Sequence, residues 1–204
     1  MKIGNVIHFA EREKLEKYFE QLVFFGFDNC QLGSWNPKDW TDENAEMVKE
    51  LCEKYGITIS AFWCGWSGPV VWDFYDGQLT LGLVPPEYRA MRVQQLCDGA
   101  DWAKKLGVTD VITHMGFISD SPFAEDHIGV AMAVREICQK IAPYGQRFLF
   151  ETGEIIPSTI LSLIITVLSA FAFARLEFKG KNALFAALLA TMMIPGELFT
   201  ITNY

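Results

Sequence analysis

Basic side chains are scarce in this sequence and nowhere gathered: 17 Lys and Arg stand against 25 Asp and Glu in 204 residues. Binding a phosphate backbone requires clustered cations that displace counterions, so the lack of a basic stripe argues against nucleic acid as a partner. No Cys-x-x-Cys pair occurs, and the five cysteines (Cys30, Cys52, Cys64, Cys97 and Cys138) are odd in number. Reduced thiols packed as small hydrophobes in a cytosolic protein fit that pattern better than a disulfide framework. No Gly-x-Gly-x-x-Gly follows the first β-rich run, which counts against a dinucleotide-binding fold. The opening MKIGNVIHFAEREKLEK has no long apolar core of a secretory signal, so the first part of the chain is expected in the cytoplasm.

Charge is also unevenly spread. Residues 1–154 hold 23 acidic and 14 basic side chains, a balance of −9, whereas residues 155–204 hold 2 and 3, a balance of +1. Half of the chain is hydrophobic, enough for a sizeable core. The two parts nevertheless have different physical characters. The first is acidic and the second almost uncharged.

In the first part, short β-rich runs alternate with amphipathic helical stretches. Strands are predicted at 2–9, 27–33, 57–66, 109–117 and 146–153. The stretch 12–26 places Leu15, Tyr18, Phe19, Leu22 and Val23 on one helical face and stops at Gly26. The stretch 41–56 offers Thr41 as N-cap, acids in its first turn, a stripe of Ala45, Val48, Leu51, Cys52 and Tyr55, and Gly56 as its stop. A third helix turns Val93, Leu96, Cys97, Ala100 and Ala103 inward and ends at Gly107. A fourth, within 125–144, carries Ile128, Ala131, Val134, Ile137, Cys138 and Ile141. The aromatic, Gly- and Pro-rich segment 67–86 is long for a plain connection, and such loops in compact domains are often functional.

This alternation predicts a parallel sheet built from right-handed crossovers, either doubly wound or closed as a (β/α)8 barrel. His8, Gln31, Trp63, His114 and Glu151 each fall at or near the C-terminal end of a predicted strand, where barrel enzymes build their sites, so the barrel is favoured. A complete barrel has eight strands, and only five precede the change in composition. An open sheet with unpaired edges on its first and fifth strands is therefore expected.

The second part reads as membrane. IIPSTILSLIITVLSAFAFA (155–174) is twenty residues without a charge, close to the ~20 that a bilayer core demands. A loop with Arg175, Lys179 and Lys181 follows, then a second apolar run at 183–201, interrupted by Pro195 and Gly196. The basic loop would face the cytoplasm, giving a helical hairpin that associates with the membrane if it inserts. Two buried core helices would carry the same composition, but the outer helices of a barrel are amphipathic, as the first four are.

The opening MKIGNVIHF, the run DVITHMGF and above all FLFETGE resemble the sugar phosphate isomerase/epimerase family, the xylose isomerase-like TIM barrels. The resemblance covers residues 1–153 and implies a partial TIM barrel acting on a sugar or sugar phosphate. It also implies a divalent metal (Mn, Mg or Zn) held by a Glu on the fifth strand and an Asp, a His and a Glu on the sixth, seventh and eighth. Glu151 matches the first, as metal ligand and catalytic carboxylate; the other three have no counterpart. In that chemistry a metal polarises carbonyl and hydroxyl oxygens while a carboxylate moves a proton next to the carbonyl, and one ligand does not hold a hard cation against water. His114 resembles the pocket histidine of these proteins, lining the pocket or, in zinc-dependent relatives, binding metal; pocket lining is favoured. His8 and Trp63 resemble sugar-contacting positions, and for Trp63 core packing is an equal reading. His127, beside acids at a helix start, reads as solvated.

From about residue 154 to 204 the resemblance changes. AFARLEFKGK followed by MMIPGE resembles the second and third membrane helices of a carbohydrate ABC transporter permease of the binding-protein-dependent class. Its cytoplasmic coupling loop would lie beyond Tyr204. The expected whole is thus an isomerase/epimerase-like part, inactive through its incomplete metal site, joined near Ile155 to a permease fragment. A membrane permease component is the second reading.

Overall fold

A computed structural model describes residues 3–73, 75–119, 121–151 and 155–175, together with 180, 181, 183 and 185. The chain divides into two units, Met1–Thr152 and Gly153–Tyr204.

Five strands form one parallel sheet in sequential order: β1 (Asn5–His8), β2 (Asn29–Ser34), β3 (Thr58–Cys64), β4 (Asp110–His114) and β5 (Arg147–Glu151). Between them run α1 (Arg12–Phe24), α2 (Asp42–Tyr55), a single turn α3 (Gly77–Thr80), α4 (Pro86–Lys105) and α5 (Glu125–Ile141). The five parallel strands in this order make part of a TIM barrel, and the strands are shorter than the apolar runs that announce them. The α2 signals hold in detail. The Thr41 hydroxyl accepts from the Asn44 N–H at 3.2 Å, and Gly56 takes the left-handed conformation (φ 66°) that ends the helix.

Register explains how the sheet's two faces differ. Ile7, Leu32, Phe62, Val111 and Phe148 lie side by side across all five strands. That row faces the helices: the first four are buried and Phe148 is half-buried against the core. Leu15, Phe19 and Leu22 of α1, Ala45, Val48 and Leu51 of α2, and Leu96, Ala100 and Trp102 of α4 close over it. The next row, His8, Gly33, Trp63, Ile112 and Leu149, turns to the other face, where His8 and Leu149 are exposed. In a closed barrel that face is filled by layers of side chains. Here it is partly open, and β1 and β5 each pair on one side.

Two helical faces depart from the sequence reading. Val23 of α1 is exposed rather than inward. The inward stripe of α5 is Val130, Ala133, Ile137 and Ile141, with Ile128, Ala131 and Cys138 exposed. Two interleaved apolar stripes fit this helix, and contact with α4 selects one of them. Likewise Cys138 is exposed and Cys52 half-buried, so only Cys30, Cys64 and Cys97 are core residues.

The long connection between β3 and α4 is held by Arg92, which is fully buried. Its guanidinium donates to the carbonyls of Ser67 (3.1 Å), Pro69 (3.1 Å), Thr80 (2.8 Å) and Gly82 (2.7 Å) and stacks 4.1 Å from the centre of the Trp66 ring. Burial lowers its pKa to about 10, which leaves it charged at neutral pH. Gly82 (φ 64°) passes so close to the end of β4 that a Cβ there would lie 2.0 Å from Met115 carbonyl atoms.

In the second unit, α6 (Ile155–Arg175) covers the first expected apolar run. The rings of Phe173 and Phe185 meet at 5.5 Å, and Gly180 stands at φ 87°. Among the described residues, no helix is long and apolar enough to cross a membrane. The second expected run, 183–201, lies outside the described residues except for 183 and 185.

Arg92→Met leaves four carbonyls without their donor and is expected to cost about 3 kcal/mol in chemical denaturation, as breaking a buried charged network does. Hydrogen exchange in 67–86 should accelerate more than exchange in α1. A stability within 0.5 kcal/mol (roughly the surface-substitution range) of the parent would show that Arg92 does not hold the loop.

Candidate functional site

The C-terminal ends of the strands surround a cavity of about 260 Å³ lined by Val6, His8, Gln31, Trp35, Trp63, Trp72 and Glu151. A wider groove of about 610 Å³ lies between α4 and α5, but no strand residue lines it, and its Arg89 is committed to the carbonyls of Leu83 and Val84. The strand-end cavity is the one where polar groups from several strands converge.

Glu151 closes β5. Its Oε2 accepts the indole N–H of Trp63 at 2.6 Å, a charge-assisted bond from one strand to another two away. Trp63 is thus both nearly buried and hydrogen-bonded at the cavity. His114 is the register partner of Glu151. Its Nδ1 accepts the Gly116 N–H at 3.1 Å, so in the neutral ring the proton resides on Nε2. Partial burial lowers the His114 pKa, and the nearby Glu151 charge opposes that shift without cancelling it. His8 lies over Gly33: a Cβ at Gly33 would stand 3.0 Å from His8 Nδ1, so the small residue gives the ring its place.

Four of the strand-end residues, His8, Gln31, Trp63 and Glu151, line this one cavity, and His114 adjoins it through Trp72, whose ring meets the imidazole edge-on at 5.0 Å. His127 stands apart, and it is not merely solvated: Nδ1 donates to the Ser119 carbonyl at 3.0 Å in a half-buried setting. Sequence reasoning passed over Trp35, which follows β2, and Trp72, which comes from the β3–α4 connection. Their signal was the aromatic content near strand ends, which by itself does not say which rings face the mouth.

The divalent metal (Mn, Mg or Zn) implied by resemblance does not fit the described donors. Among the described residues, no three His, Cys, Asp or Glu side chains come together to hold a metal ion. Glu151 already gives one oxygen to Trp63, and His114 offers Nδ1 to a backbone N–H. A hard cation needs several oxygen or imidazole donors in fixed places, and this set supplies too few.

A parallel sheet with a polar, aromatic site at its strand C-termini defines a barrel-type α/β protein. The chain belongs to the xylose isomerase-like TIM barrel family, whose model matches residues 19–158. Among solved structures it is similar to a xylose isomerase domain protein from Planctomyces limnophilus: 24% identity, TM-score 0.65, 81% of this chain and 59% of that one. The 3-keto-D-glucoside 4-epimerase of E. coli is similar at 20% identity and TM-score 0.52, over 74% of this chain and 55% of that one. A xylose isomerase-like TIM barrel protein from Mycobacterium smegmatis, solved with magnesium, is similar at 19% identity and TM-score 0.53, over 78% and 54%. The chain therefore spans little more than half the length of these proteins. Two shorter matches are to transporter permeases. A probable ABC transporter permease protein of Pyrococcus horikoshii is 36% identical over 62 residues, 30% of this chain and 22% of that protein. The maltose/maltodextrin transport system permease protein MalG of Vibrio parahaemolyticus is 40% identical over 47 residues, 23% and 16%.

His114 should titrate below the ordinary histidine value of about 6.5, and Glu151→Gln, which removes the opposing charge, should lower it further. Because the folded state resists protonation, this histidine's contribution to stability is present above pH ~6.5 and falls away as the pH drops below it. NMR titration of the three histidine rings reads both effects. A His114 midpoint above 6.5 would contradict the burial that sets the direction.

Proposed function

We propose that residues 1–153 form a sugar-binding site of the isomerase/epimerase type, and that this stretch by itself does not turn sugars over. The observation that carries the reading is the Trp63–Glu151 bond, which aims a carboxylate at the strand-end cavity beside His114. In this reading Glu151 is the group that would exchange a proton with the carbon next to a sugar carbonyl. The Nε2–H of His114 donates to a sugar oxygen, and His8 and Trp63 contact the sugar. Proton removal from carbon also needs the resulting enediolate charge to be stabilised. The four-ligand metal set of the parent family would do that, and only Glu151 of that set has a match here. Sugar-related neighbours support the substrate class: one is a keto-glucoside epimerase and another a D-tagatose 3-epimerase-like protein. On this reading the first unit is cytoplasmic.

Residues 154–204 support a second reading, a permease-like hairpin of 155–174 and 183–201 belonging to a carbohydrate ABC transporter. Two observations favour it: the short permease matches, and a described run, 163–171, of which all but the small residues are large apolar or hydroxyl side chains exposed to solvent. Apolar surface all round a helix requires cover by lipid or protein.

Incubated with D-fructose in D2O and millimolar Mn²⁺, the full chain should introduce no deuterium next to the carbonyl, and Glu151→Gln should be indistinguishable from it. Exchange above the buffer rate that Glu151→Gln abolishes would show a working active site. On the hairpin reading alone, an alkaline carbonate wash leaves the protein in the membrane pellet. Its release into the supernatant would defeat the hairpin reading.

A further inference from the structure

We propose that two copies of this chain pair through β5, edge to edge and antiparallel, about a twofold axis at Leu149. The sheet has two edges, β1 and β5, and they are not alike. The Arg147 N–H donates to the Thr109 carbonyl at 2.8 Å, so the backbone groups of Arg147, Leu149 and Glu151 face β4. Strand alternation then turns the N–H and C=O groups of Phe148 and Phe150 away from the sheet. On β1 the Phe9 N–H donates to the Gly33 carbonyl, so Val6 and His8 hold the outward groups there. The Val6 N–H is met by the Asn5 side-chain oxygen at 2.9 Å. Among the described residues, β5 has no such guard. Neither proline nor lysine interrupts its Arg-Phe-Leu-Phe-Glu run, and Leu149 and Phe150 are 37% and 48% exposed.

Reversed, the sequence of β5 is its own complement. An antiparallel pair centred on Leu149 sets Phe148 opposite the partner's Phe150. Both residues carry outward backbone groups, so they exchange N–H···O bonds on each side of the axis. Leu149 meets the partner's Leu149 in the closer, non-hydrogen-bonded position, and Arg147 stands opposite the partner's Glu151. Opposite charges and paired apolar side chains both stabilise such a register. A slip of one residue would set outward groups against groups already bonded to β4, and a slip of two would take Arg147 away from Glu151. Both charges have capacity left for the contact. Arg147 uses Nε and one Nη on Asp110, at 2.6 and 2.7 Å, and Glu151 gives only Oε2 to Trp63.

Twofold pairing of like edges closes on itself, whereas β5 of one copy on β1 of the next would run on as a filament. The Asn5 contact on β1 opposes the open-ended form. A strand pair of five residues is small beside permanent interfaces, so association in the micromolar range is expected. The pair also changes the strand-end cavity. Its lining in one copy holds no Lys or Arg, and the antiparallel arrangement carries the partner's Arg147 from the far end of its own strand to the rim beside Glu151. The second copy thus supplies the cation that the first lacks at that rim.

The test measures protein mass by light scattering on the full chain in dodecyl maltoside, which covers the apolar α6, across a micromolar concentration series. Twice the mass of one chain is expected at the upper end. Phe150→Pro removes an outward N–H and no bond to β4, and Leu149→Lys sets two cations at the axis. Each should raise the dissociation constant of the pair about tenfold or more. Where Phe150→Pro lowers thermal melting, Leu149→Lys, at a part-exposed position, carries the comparison. With the exposed thiol removed by Cys138→Ser, Leu149→Cys should cross-link into a covalent dimer under mild oxidation, because facing residues there come within disulfide reach. Val6→Cys on β1 should not. A monomeric parent chain overturns the proposal. So does a dimer that Leu149→Lys leaves intact, or cross-linking through Val6→Cys in preference to Leu149→Cys.

Discussion

The packing of α1, α2, α4 and α5 over one face of a parallel sheet is the constraint from which the rest of the first unit follows. Parallel sheets are ordinarily buried on both sides. Here the Ile7, Leu32, Phe62 and Val111 row is sealed by α1, α2, α4 and α5, while the adjacent row from His8 to Leu149 is left partly bare. Three more strands would close such a sheet into a barrel and fill that face. Among the described residues, what orders the mouth is polar and aromatic: the Trp63–Glu151 bond across the strands and the tryptophan cluster above. Arg92 then ties the β3–α4 connection down so that Trp72 arrives at the cavity.

The same geometry separates two things that the parent family combines. Binding a sugar needs a shaped aromatic pocket with a few rim donors and acceptors, which on the proposed reading the first five strands carry. Stabilising an enediolate needs several metal donors, which that family gathers from strands five to eight, and Glu151 alone matches. On the proposed reading, recognition and chemistry are separable because their parts sit on different strands.

How much of this was legible in the sequence depended on which interactions each residue makes. Strand and helix order, the Thr41 cap, the Gly56 stop and the α4 face were plain because local periodicity and capping specify them. The α5 face was not, since two apolar stripes fit and only contact with α4 chooses Val130 and Ala133 over Ile128 and Ala131. Polar residues at strand ends pointed to His8, Gln31, Trp63, His114 and Glu151, and the fold brings them to one rim. Which group Trp63 would bond, and that Arg92 is buried, depended on residues 88 and up to 25 positions away. No local pattern encodes such pairings. Residues 155–174 announced an apolar helix, and α6 is one; its hydropathy alone does not say what covers it.

On the proposed reading the strand-end cavity takes a sugar, and Glu151 is held there by Trp63 rather than by a metal. The most direct measurement follows the Trp63 indole N–H resonance in the ¹⁵N-labelled full chain, assigned through Glu151→Gln. A free sugar should shift this resonance together with those of Trp35 and Trp72, and about 10-fold excess Mg²⁺ should leave it in place. A saturable shift of the Trp63 resonance by Mg²⁺, with no response to sugar, would contradict it.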